Sequence, residues 1–141
     1  MRNLKPFFVV IFFGISLTCF AQKVKFKKGN VLVDDTVWIK YKDCGGFDTT
    51  CSLINMNNEE LIFIKFIQRS SETLLFNRYG EQNYYEVSFL GLNKKIEIRE
   101  LPKNIVKIIF NSKVIDDNGA LDEGKVIKLF EKYGNSYSSQ K

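Results

Sequence analysis

Cys44 and Cys51 stand apart by only GGFDTT, and in an oxidising compartment so close a pair is most simply a disulfide that closes a small loop. Gly45 and Gly46 give that loop the backbone freedom to turn. Asp43, Gly45, Gly46, Phe47 and Asp48 would then be presented together as a constrained contact surface. A redox-active thiol pair is the sharper alternative, but the spacing is not CxxC and no helix start follows Cys51 in the sequence to stabilise a thiolate.

Other chemistry is scarce. The chain has no histidine, which removes the Ser-His-Asp and Cys-His arrangements, the usual zinc ligand sets and the commonest proton-transfer group near neutral pH. Asp34-Asp35 and Glu59-Glu60 are adjacent pairs, and neighbours in extended chain point to opposite faces instead of converging on one substrate. The stretch Asp116 to Glu123 has oxygen ligands around Gly119, but an EF-hand needs acids at alternate positions and a closing Glu where this chain has Lys125. It reads as a turn. Cys44-Gly45-Gly46-Phe47 lacks the length and the lysine of a phosphate-binding loop. No catalytic residue, metal ligand or cofactor is assigned, and a non-enzymatic role is expected. An aromatic-lined cavity built from Trp38, Phe47, Tyr84 and Phe89 would suit a small apolar ligand or lipid, although ordinary core packing explains the same residues.

An oxidised cysteine pair is plausible in an exported chain, and the N-terminus reads as an export signal. Arg2 and Lys5 precede FFVVIFFGISL, an apolar run from Phe7 to Leu17 that falls well short of the roughly 20 residues a membrane-crossing helix needs. Residues 1–21 therefore read as a signal peptide cut between Ala21 and Gln22, with Cys19 and Ala21 as the small residues before the cut. An uncleaved anchor is the alternative. So is lipidation at Cys19, which would tether the chain to a membrane, although Ser16 and Thr18 are poor lipobox residues. Cleavage removes Arg2 and Lys5 and no acid, lowering the net charge from +5 to +3. The remaining cluster Lys23, Lys25, Lys27, Lys28 alternates with Val24 and Phe26 as a half-exposed edge strand does, so nucleic acid is not an expected partner. The location expected is periplasmic or secreted.

The elements that hold these residues follow from hydrophobic period. Val24 to Val33 reads as a hairpin about Lys28-Gly29-Asn30. After the turn at Asp34-Asp35, Val37, Ile39 and Tyr41 are expected on one face and Trp38, Lys40 and Lys42 on the other. Cys51 to Ile54 is extended, Asn55 to Asn58 is a polar turn, and LIFIKFI (61–67) is apolar on both faces but for Lys65, as a central strand is. A short strand is expected at 73–76. Tyr84 to Leu92 and Lys94 to Glu100 form another hairpin, with Tyr85, Val87, Phe89, Ile96 and Ile98 facing inward. At Pro102 the period becomes helical: Ile105, Ile108, Ile109 and Ser112 make one stripe. Val126, Leu129, Phe130 and Tyr133 make a second, with Asp122 as N-cap and Gly134 as a left-handed C-terminal cap.

The segments GNVLVDDTVWIKY, ELIFIKF, YYEVSFLGL and DNGALDEGKVIKLFEKYGNSYS together resemble a family of small exported proteins of Bacteroidetes-type bacteria that carries no assigned activity. That resemblance implies a periplasmic or surface-associated location and offers no catalytic residues. The expectation is thus an α+β domain over 22–134, an antiparallel β-meander of six to seven strands followed by two C-terminal amphipathic helices on one face, with a flexible tail at 135–141. A small β-barrel closed by the helices is the competing architecture. Its expected role is binding an envelope protein or another envelope component, with an apolar-ligand carrier as the second possibility.

Overall fold

The computed structural model describes residues 22–45, 48–68, 83–134 and 136–139. The expected signal peptide with Cys19 and Ala21, the loop residues Gly46 and Phe47, and the expected strand at 73–76 lie outside the described residues. Among the described residues seven strands, β1 (Val24–Lys27), β2 (Asn30–Val33), β3 (Thr36–Lys42), β4 (Thr50–Ile54), β5 (Glu60–Ile67), β6 (Tyr84–Phe89) and β7 (Lys94–Ile98), precede α1 (Pro102–Asn111) and α2 (Glu123–Tyr133). Every neighbouring pair is antiparallel, and the spatial order is the order in sequence, β1 through β7. The sheet is open, not a barrel: among the described residues β1 pairs only with β2 and β7 only with β6.

Local chemistry explains the meander. Lys28 (φ 49°) with Gly29 (φ 78°), and Asp34 (φ 50°) with Asp35 (φ 66°), form two-residue hairpin turns with both central residues left-handed, the geometry that matches strand twist. Asp34 adds a clasp, its Oδ1 accepting the Lys23 N–H at 2.9 Å. β5 is central, as its two-sided hydrophobicity suggests, and buries Ile62 and Ile64 between partners on both sides.

Val31, Ile39, Leu53, Ile62, Ile64, Val87, Phe89 and Ile96 form the inner face of the sheet, and both helices pack into this one core. α1 starts at Pro102, where a missing N–H costs nothing, and crosses to β1. It buries Ile105, Val106 and Ile109. α2 runs against β7, with Val126 and Leu129 inward and Asp122 capping the Lys125 N–H at 3.0 Å. Two expectations about α2 need correction. Phe130 faces solvent, 44% exposed, because Val126 and Leu129 suffice to fill the contact with β7 and Lys94 lies over the Phe130 ring. Gly134 is not left-handed (φ −71°); it is glycine because a Cβ there would lie 2.4 Å from the Phe130 carbonyl oxygen.

By contrast, Gly124 lies exposed in the first turn of α2, and an added Cβ would meet nothing closer than the Asp122 side chain at 3.4 Å. Gly124→Ala is expected to stabilise the fold by about 0.5–1 kcal/mol through helix propensity, read as a higher urea midpoint at unchanged slope.

Residues 136–139 of the tail lie against the sheet. The Ser138 N–H donates to Glu97 Oε2 at 2.8 Å, on the face of β7 opposite the core residues Ile96 and Ile98. Tyr137 packs near Tyr84, and the Arg99 guanidinium lies 4.1 Å from the Tyr137 ring centre. Burial pushes the Glu97 carboxyl up, but hydrogen bonds from Ser138 and Tyr137 and the nearby Lys95 ammonium outweigh it, and the group is held below its ordinary value. A lowered folded pKa stabilises above the unfolded value and loses that contribution as pH falls through the folded one. Deleting residues 135–141 should therefore lower the urea midpoint at neutral pH, with a difference from the full chain that shrinks below about pH 4. An equal difference at pH 7 and pH 3 would show that Glu97 plays no part.

Candidate functional site

The cysteine loop that the sequence singles out joins β3 to β4. Cys44 and Cys51 are disulfide-bonded, with Cα atoms 4.3 Å apart. Cys51 is buried in β4 opposite Ile64, which anchors the loop in the core, while Cys44 is half-buried. Asp43 is exposed and left-handed at φ 55°. Asp48 is engaged locally: its Oδ2 accepts the Gly45 N–H at 2.7 Å, and its own N–H donates to the Gly45 carbonyl at 3.1 Å. The space between this loop, Tyr85 and Pro102 holds a cavity of only about 10 Å³, too small for a ligand. The fold does bring the start of α1 beside the disulfide, which the order of residues in the sequence did not reveal.

Tyr84 and Phe89 point to opposite faces of β6, with Phe89 in the core and Tyr84 against the tail. Trp38 lines a different space, whose described lining includes neither Tyr84 nor Phe89, and Phe47 lies outside the described residues.

Trp38 instead belongs to a cleft of about 840 Å³ where three distant segments meet: β3, the Asn55–Asn58 turn, and the connection between α1 and α2. A β-bulge places it there. β2 pairs Val31 with Ile39 but Leu32 with Val37, which leaves Trp38 as the extra residue. The expected alternation is thereby broken: Ile39 is buried at 2% exposure whereas Val37 is 47% exposed. Trp38 turns toward α1 and meets the Phe110 ring edge to face, 4.9 Å between centres.

Asn55 braces the floor. It is 4% exposed, and its side chain makes four hydrogen bonds. The Nδ2 group donates to Glu59 Oε2 and to the Gly119 carbonyl, both at 2.9 Å. Oδ1 accepts the N–H groups of Asn57 at 3.0 Å and Glu59 at 2.9 Å. One side chain thus shapes the β4–β5 turn and ties it to the α1–α2 connection. That connection is itself organised by Asp116, whose Oδ1 accepts the N–H groups of Asn118 and Ala120 at 2.9 Å each. The acid that suggested a calcium loop therefore closes a turn. Around this frame the side chains of Asn57, Asn111, Lys113, Asp117 and Asn118 are exposed at the rim. Gln22, the expected first residue of the mature chain, also borders the cleft.

Sequence reasoning misses this site because its parts lie far apart along the chain. The available signals were the single tryptophan and two polar turns rich in Asn and Asp. Comparison with protein-family models, curated proteins and solved structures finds no match for the chain.

Proposed function

We propose that this chain is an exported, non-enzymatic binding module for a component of the cell envelope, and that it binds through the Trp38 cleft. The observation that carries the reading is the combination of an aromatic pair and polar rim with a floor held rigid by Asn55. Clefts of this size that join aromatic side chains to a few placed polar groups suit ligand recognition, and a braced floor lowers the ordering cost of binding. The disulfide is compatible with an oxidising compartment outside the cytoplasm, and the signal-peptide pattern at 1–21 supports the same location. A chain without histidine and with Asp116 engaged in its own turn supports binding over catalysis.

The test is co-sedimentation of the exported protein with envelope fragments of the cell that makes it. Asn111→Ala with Asn118→Ala should weaken retention roughly tenfold, while Asp48→Ala in the cysteine loop should leave it unchanged. Equal retention of all three proteins, or loss only with the loop variant, would remove the cleft as the binding site.

A further inference from the structure

We infer that the ligand of the Trp38 cleft is a neutral saccharide chain; this rests on the binding role just proposed and names its ligand class. Three features of the cleft converge on it. Trp38 and Phe110 are both half-buried, and their edge-to-face contact orients two aromatic surfaces at one place in the cleft. Aromatic faces are electron-rich, and the C–H-bearing face of a sugar ring presents the complementary weakly positive surface.

The polar rim is dominated by amides. Asn57, Asn111 and Asn118 each carry a carbonyl acceptor beside an NH₂ donor, and a sugar hydroxyl likewise both accepts and donates. Among the described residues none of these three side chains is consumed in the way that Asn55 is: the bonds found at Asn57 and Asn118 come from their backbone N–H groups. An ionic ligand would select a rim of one sign. Here Lys113 is set against Asp116 and Asp117, so an anion gains nothing, and one oxygen of Asp116 already has two N–H donors. A neutral, hydroxyl-rich ligand suits this balance better than a phosphate, an acidic peptide or a nucleic acid.

The molecule supplies its own reporter, because Trp38 is the one tryptophan in the chain. Titration of the exported protein with a tetrasaccharide of N-acetylglucosamine, and separately with a tetrasaccharide of glucose, should shift or quench Trp38 emission saturably for at least one of them. A dissociation constant of about 1 mM or tighter is expected. Asn111→Ala and Asn118→Ala, both at exposed positions, should each weaken that response several-fold while the urea midpoint stays unchanged.

An unmoved Trp38 signal up to about 10 mM of both sugars, with envelope retention still dependent on the cleft, would overturn the saccharide assignment and leave the binding role standing. A response to an uncharged tetrapeptide in place of the sugars would do the same. Loss of both sugar response and cleft-dependent retention would overturn the two readings together. Sugar binding unaffected by either Asn variant would place the saccharide elsewhere on the molecule.

Discussion

Replacing Asn55 by alanine is expected to destabilise the protein by about 2–4 kcal/mol, because four hydrogen bonds lose one partner at a buried position. The cost arises from what remains. The Gly119 carbonyl and the Asn57 and Glu59 N–H groups would keep their positions without the side chain that satisfies them. A second effect follows from the long reach of the Asn55–Gly119 bond, which joins the β4–β5 turn to the α1–α2 connection. Without it the cleft floor loosens, and affinity for envelope fragments should fall even at temperatures where the variant is fully folded. Asn118→Ala is the matched control, since Asn118 is exposed and the bond found there among the described residues comes from its backbone N–H; it should cost less than about 0.5 kcal/mol. Urea midpoints of the two variants decide the matter. Equal midpoints would mean that Asn55 does not hold the two turns together.

Removing the disulfide is the second large effect. Cys44→Ala with Cys51→Ala should cost about 2–3 kcal/mol, the chain-entropy estimate for a short closed loop. The loop is anchored on one side only, since Cys51 sits in the core and Cys44 is half-buried, so freeing it should disorganise residues between Asp43 and Thr50 more than the sheet. Two measurements separate the bridge from the packing of its sulfur atoms. A thiol reductant should lower the urea midpoint of the native chain nearly to that of the double variant, and should leave the variant itself unchanged. Alkylation before reduction should label neither cysteine. A native chain indifferent to reductant would mean that the bridge adds no stability.

Period-two alternation, two tight turns and the change of period at Pro102 are local properties, and the strand order and both helix starts could be read from them. Asp122 as a cap is equally local, since Ser, Thr, Asp and Asn compete for the same first-turn N–H. The departures share a different origin. One extra residue at Trp38 flips the face of Val37, and nothing in VLVDDTVWIKY marks where a bulge will fall. Phe130 fits the helical stripe, but whether a stripe residue is buried depends on the width of the surface it meets. Gly134 was the right residue for a different reason: a close carbonyl excludes a side chain there, with no need for a left-handed backbone. The contact of Ser138 with Glu97, a charged residue buried in β7, joins residues 41 apart in the chain and has no local signal. The cleft was the least legible feature because Trp38, Asn55 and Gly119 become neighbours only after the sheet and helices have assembled.

The sequential order of the seven strands has a kinetic meaning. Each strand finds its partner in the segment just before or after it, so the sheet has low contact order for an all-neighbour β architecture, and each hairpin can close without waiting for a distant one. The step that must bridge most of the chain is the arrival of α1 on β1. A polypeptide emerging N-terminus first can therefore zip β1 to β3 early, while the first strand still lacks its helical cover. Mutations at Ile105 or Ile109 should then chiefly accelerate unfolding, whereas mutations in the Lys28-Gly29 and Asp34-Asp35 turns should chiefly slow folding.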